Sequence, residues 1–176
     1  MANTVSAVLA ASITATEVID VDLNNTAFSV IDTSTVTQLK HYLSFATTID
    51  ASTTTVPSTK AYNASGALTD GAATLDLTAL YTYQNQALDL SGLVVQAIML
   101  QNRGSNVMTF DTGDTNGYDI FGAATGSITL PAANGTYYPT VWFFTANGLE
   151  DIDATHKTID IAGTGTDAYK IVLVAG

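Results

Sequence analysis

Apolar side chains fall on alternate positions at the start of the chain: Val5, Ala7, Leu9, Ala11, Ile13 and Ala15, with Thr, Ser or Ala at most positions between them. A period of two places such a set on one face of a strand. Alanine leans toward helix, but the interleaved Thr4, Thr14 and Thr16 favour extended backbone. Residues 1–16 therefore read as an extended N-terminal arm or edge strand. Short strands follow at 18–23 and 27–31, around Asn24 and Asn25. From Leu39 the alternation resumes with Leu43, Phe45 and Ile49, and His41 shares that row.

Residues 50–73 are rich in Ser, Thr and Gly and contain Pro57, the composition of a long surface loop. Strand patterns then recur at 74–80, 88–90, 93–101, 106–110, 127–130, 136–145, 158–161 and 169–174. About eight short strands separated by turn residues predict an all-β, antiparallel sandwich spanning 1–176 as a single domain. No window carries a capped stripe of period 3.6. Three segments place Asp between apolar neighbours: Leu75-Asp76-Leu77, Leu88-Asp89-Leu90 and Ile159-Asp160-Ile161. Each reads as a strand with its polar side outward. Their irregular spacing argues against a solenoid or propeller.

Composition supports this reading. The chain of 176 residues holds 29 Thr and 25 Ala but only 2 Glu, 4 Lys and 1 Arg. The long charged side chains that cover exposed helices are nearly missing, whereas Thr suits a half-exposed strand. Fourteen of the sixteen acids are Asp, which favours turns. The net charge of −11, with Arg103 the one arginine and no two Lys or Arg adjacent, disfavours nucleic acid and anionic membrane surfaces as partners. With no Cys, thiolate metal sites, disulfides and thiol nucleophiles are excluded. The N-terminus lacks a basic n-region, and the longest apolar stretch, 93–100, is too short to span a bilayer. These features predict a chain made in the cytoplasm.

The stretch Val107-Met108-Thr109-Phe110-Asp111-Thr112-Gly113-Asp114 delivers an Asp-Thr-Gly triplet from an apolar run, as aspartic proteases do. Such enzymes need two carboxylates sharing a proton. Here Asp114 would add a third charge, and no Gly-rich flap pattern follows. A calcium loop aligned on Gly117 puts Ala123 where a bidentate Glu belongs. A weaker site from Asp111, Asp114 and Asp119 is the remaining metal option, beside a plain turn at Asn116-Gly117. The Gly163-Thr164-Gly165-Thr166-Asp167-Ala168 match to a dinucleotide fingerprint precedes a strand, not a helix. His41 and His156 lack metal-ligand spacing. The expectation is no enzyme, no cofactor and no resident metal.

The densest apolar run, Tyr137-Tyr138-Pro139-Thr140-Val141-Trp142-Phe143-Phe144, sends alternate rings to opposite faces. Pro139 places its start at a sheet edge or bulge. One set reads as core, and Trp142 and Phe144 as a partner contact, together with Val5, Leu9 and Ile13 of the arm. A glycan-binding platform would need exposed rings among Tyr81, Tyr83, Tyr118 and Trp142.

Taken together, MANTVSAVLAASITATEVIDVDL, LTDGAATLDLTAL, ALDLSGLVVQAIMLQNRGSNVMTF, TNGYDIFGAATGSITLPAANG and TIDIAGTGTDAYKIVLVAG resemble a family of small virion-associated proteins of tailed bacteriophages. The likeness spans most of the chain. It departs at Pro131-Ala132-Ala133-Asn134-Gly135, where that family usually carries a Pro-Gly-Gly turn. The resemblance implies a jelly-roll-like sandwich that decorates or completes a capsid, located on the virion surface. Its implied partners are the major capsid protein or other virion proteins and further copies of itself. The alternatives are a small jelly-roll major capsid protein and a receptor- or glycan-binding module.

Overall fold

The computed structural model describes residues 7–19, 37–49, 56–82, 84–121, 125–144 and 148–176. In the first two stretches only the backbone is described, apart from the exposed Val8 and Ala10. All regular structure among these residues is strand.

β1 (Ala7–Ile19) and β2 (Thr37–Ile49) pair with each other as a two-stranded sheet, and Val8–Thr48 form a compact unit of their own. From Ala7 onward the alternating N-terminal segment is thus a strand, as its period requires, and it pairs with β2. Val8 is 71% exposed, on the even-numbered side of the alternation. The strands expected at 18–23 and 27–31 lie, beyond Ile19, outside the described residues.

The second unit contains β3 (Lys60–Ala67), β4 (Ala72–Asp76), β5 (Leu80–Tyr81), β6 (Ala87–Leu88), β7 (Val95–Asn102), β8 (Met108–Thr112), β9 (Ser127–Leu130), β10 (Thr140–Phe144), β11 (Thr158–Ala162) and β12 (Ala168–Ala175). Eight of these strands make two antiparallel four-stranded sheets, ordered β10-β7-β12-β3 and β4-β11-β8-β9. β5 and β6 form a small hairpin. Apart from β8 to β9, each step along the eight strands crosses from one sheet to the other.

The core follows from alternation. In the first sheet the inward rows are Val141, Leu100, Ile171 and Ala64, then Phe143, Ile98, Leu173 and Tyr62. The second contributes Leu75, Ile159, Ile161, Phe110, Ile128, Met108 and Leu130 to the same apolar cluster. Full burial of each such aliphatic chain stabilises by about 1.5–3 kcal/mol. Phe121 meets Phe143 edge-on at 5.2 Å.

Three details differ from the pattern reading. β3 forms inside the stretch expected to be a loop. Its inward positions are Tyr62, Ala64 and Gly66, and the Tyr169 ring of β12 lies over Gly66, where a Cβ would sit 2.4 Å from the ring. A neighbour's side chain thus fills the face that β3 leaves empty. In β7, Val95 and Ile98 both face inward because the register with β12 shifts at Val174 and Ala175. Gln96, which broke the apolar run, is fully buried. It accepts from the Ser58 hydroxyl at 2.7 Å and donates to the Val56 carbonyl at 2.7 Å, tying residues 56–58 to the sheet. Finally, β10 starts at Thr140, immediately after Pro139, and not at 136, although it is an edge strand as that proline favours.

Candidate functional site

Two surface regions gather chemistry-bearing side chains. The first lies on the outer face of the β10-β7-β12-β3 sheet, where register places two rows of residues side by side. One row runs Trp142, Met99, Val172, Asn63, and the other Thr140, Gln101, Lys170, Ser65. Successive strands are about 4.8 Å apart, so each row crosses about 14 Å of surface. Trp142 is 49% exposed at the β10 edge. Met99 and Val172 are half-buried, and Asn63 and Ser65 are exposed on β3. Gln101 is tied down by its amide, which donates to the Thr140 hydroxyl at 2.9 Å.

At the β3 edge of this face, Asn63, Ser65, Lys170, Tyr81 and Thr82 line an open groove of about 400 Å³. The β5–β6 hairpin brings the last two there for a local reason. Leu80 is buried in the core, so Tyr81, the next residue along the strand, faces the opposite way and is 60% exposed. Beyond it the Thr82 N–H donates to the Gln86 carbonyl at 2.9 Å, and Asn85 takes a positive φ of 58° to close the turn. Lys170 is the one charged residue among the groove's lining, and it pairs with no carboxylate among the described residues.

The second region lies on the outer face of the other sheet. Asp111 on β8 sits directly opposite Asp160 on β11, and a cleft of about 300 Å³ beside it is lined by Asp111, Asp114, Thr125 and Ser127. Asp160 accepts from the Thr74 hydroxyl at 2.5 Å and from the Asp114 N–H at 3.0 Å. Burial first, then the charges of Asp160 and Asp114, push the Asp111 carboxyl above its usual range. Asp111 lies within a strand, whereas the protease reading needs its triplet on a loop. The calcium grouping of Asp111, Asp114 and Asp119 does not form. Asp119 turns away, accepting from the Phe121 N–H at 3.1 Å while its own N–H donates to Glu150 Oε1. Among the described residues no cluster of three or more His, Asp or Glu side chains is placed to hold a metal ion.

Asn116 adopts a positive φ of 55°, and its carbonyl accepts from the N–H groups of Lys157 and Thr158 at 2.7 and 3.0 Å. The stretch after Asp-Thr-Gly is thus a turn docked on β11. The Leu-Asp-Leu segments keep their Asp outward between inward apolar residues, and two of these Asp residues also build turns. Asp76 and Asp89 accept from the N–H and hydroxyl of the residue two positions on, Thr78 and Ser91, as Asp153 does with Thr155. This local use accounts for part of the Asp excess. His156 lies beside Asp153 and Glu150, with its side chain 45% exposed.

Of the rings considered for a binding platform, Tyr81 and Trp142 are exposed, Tyr118 is buried, and Tyr83 lies outside the described residues. Of the expected partner contacts, Trp142 is on the outer sheet face. The backbone of Phe144 lies opposite Ala97, and Leu9 and Ile13 lie on β1. Val5 falls outside the described residues. Sequence reading missed the joining of Asn63, Ser65 and Lys170 to Tyr81. The available signal was the outward parity of Lys170 beside the inward Ile171, but nothing local links β12 to β3. In comparison with known proteins, no family model and no curated protein matches this chain.

Proposed function

We propose that this chain is a structural protein of a tailed-bacteriophage virion, a decoration or cement protein that stabilises the major capsid lattice without catalysis. The observation that carries this reading is the strand order. Numbered one to eight along the chain, the sandwich strands are ordered 6-3-8-1 and 2-7-4-5 in the two sheets. That order fits a double-sheet jelly roll, an architecture used by viral capsid and lectin domains. Architecture alone does not assign a role. The likeness of the sequence to small virion proteins selects the capsid branch, and the separate β1–β2 unit gives it a means of attachment. An exposed strand edge offers main-chain hydrogen bonds to a neighbour, with alternate side chains setting register. Val8, exposed on that unit, is available to such a contact.

In this reading the protein acts as a homo-oligomer on the capsid surface, and its partner is the major capsid protein. Purified protein mixed with particles that lack it should co-sediment with them and raise their resistance to heat. A chain that stays in the supernatant at saturating concentration contradicts the proposal. If it assembles into closed shells alone, it is instead a small major capsid protein.

A further inference from the structure

We propose that the groove at the β3 edge binds a saccharide bearing a single carboxylate, such as a uronate or a sialate, with Tyr81 as its stacking platform and Lys170 as its acid-recognising group. This inference is independent of the virion reading, since it rests on the groove alone.

Four observations converge on it. A Tyr ring that is 60% exposed at a groove wall is an apolar surface held in place by the buried Leu80 beside it. The C–H face of a pyranose is the complement of such a ring, and a rigid two-torsion side chain loses little entropy on contact. Next to it, Asn63, Ser65 and Thr82 present an amide and two hydroxyls, which can donate to and accept from sugar hydroxyls. The groove floor is sheet, so these groups are pre-positioned by cross-strand register: Lys170 stands opposite Ser65, and Val172 opposite Asn63.

The charge argument selects the ligand's acid. Of the cations described, Lys157 bonds Asp76 at 2.8 Å, Lys60 donates to the Asp89 carbonyl at 2.8 Å, and Arg103 lies 4.8 Å over the Tyr138 ring. Of these four, the Lys170 side chain alone has no hydrogen-bond, carboxylate or ring partner among the described residues. It sits in a groove with no acidic lining residue, on a chain of net charge −11. A single carboxylate gains a short-range, charge-assisted bond there. A polysulfated chain would instead meet the repulsion of the whole acidic surface. The row from Asn63 through Val172 and Met99 to Trp142 continues the face away from Tyr81 and offers a second ring to a longer oligosaccharide.

The test is calorimetric titration of the full chain with 3′-sialyllactose, an oligogalacturonate, lactose and a heparin fragment. The expected result is binding of at least one acidic probe, at least tenfold tighter than lactose, with no preference for heparin. Tyr81→Ala should weaken the acidic probe by about tenfold or more, the loss of one well-placed stacking or charge-assisted contact. Lys170→Gln should abolish the preference for acid while leaving any lactose binding in place. Each variant should melt as the parent does, and Asp111→Asn, on the other sheet, should bind as the parent does. Absence of binding to both carboxylated probes overturns the proposal. So does binding indifferent to Tyr81→Ala and Lys170→Gln, or binding in which heparin outcompetes the singly acidic sugars.

Discussion

Tyr118 illustrates what one residue does here. Its ring is fully buried, and its hydroxyl accepts from the Val95 N–H at 3.0 Å and donates to the Glu150 carbonyl at 2.8 Å. The loop after β8 is thereby fastened to the first residue of β7. Tyr118→Phe keeps the ring but removes the bridge, and should cost about 1–3 kcal/mol, read as a lower urea midpoint at unchanged slope. An unchanged midpoint would show that the bridge contributes nothing. Burial, before the smaller charge effects, pushes this phenol up to about 12. A folded-state value above the unfolded one, near 10, means stability present below about pH 10 is lost as pH rises toward 12. The Phe variant should lack that part of the alkaline loss. Asp111 has the same sign in the acid range, its carboxyl being held above the unfolded value. Its folded-state penalty is complete at pH 7 and is relieved as pH falls through the raised value toward about 4. Asp111→Asn should therefore raise Tm at pH 7 and lose that advantage near pH 4. A lower Tm at pH 7 would contradict the repulsion inferred for the Asp111, Asp114 and Asp160 cluster.

At the scale of elements, turns are held by specific partners as much as by strand pairing. The turn after β7 passes so close to Asp167 that a Cβ on Gly104 would lie 2.4 Å from that residue's Cβ. The Asp167 carboxylate in turn accepts from the N–H groups of Ser105 and Asn106 at 3.2 and 3.1 Å. Gly104→Ala should displace Asp167 and destabilise by about 2 kcal/mol, within the range for a lost cap plus local strain. Because Asp167→Ala removes the same contacts, the double variant should cost clearly less than the sum of the singles. Full additivity in thermal melts would show the two to be unconnected. The legibility of the elements follows the same division. Strands that carry their own inward apolar residues, such as β8 with Met108 and Phe110, are readable from alternation. β3 is not, because its inward face is completed by Tyr169 from a strand about a hundred residues further on. Gln96 misleads for a related reason: it shares the parity of the inward Ile98 and Leu100, and its burial depends on Ser58 and Val56, from before β3, to satisfy it. In the site, the exposure of Tyr81 and Trp142 was open to parity arguments. The groove was not, since it depends on β12 pairing with β3.

At the scale of the molecule, the two compact units separate the tasks proposed for them. The eight sandwich strands and the apolar cluster they bury belong to one compact unit, and Val8–Thr48 to the other. Removing residues 1–48 should therefore leave a sandwich that unfolds in one cooperative urea transition. Loss of that transition would show that the sandwich needs the first unit. The central claim, that this is a virion component attached through its N-terminal unit, is tested most directly by quantitative mass spectrometry of purified particles. The measurement compares the copy number per particle of the full chain with that of the chain lacking residues 1–48. The account predicts many copies of the full chain, in a fixed ratio to the major capsid protein, and near-complete loss of the truncated one. A full chain absent from purified particles, or a truncated chain present at the same ratio, would contradict it.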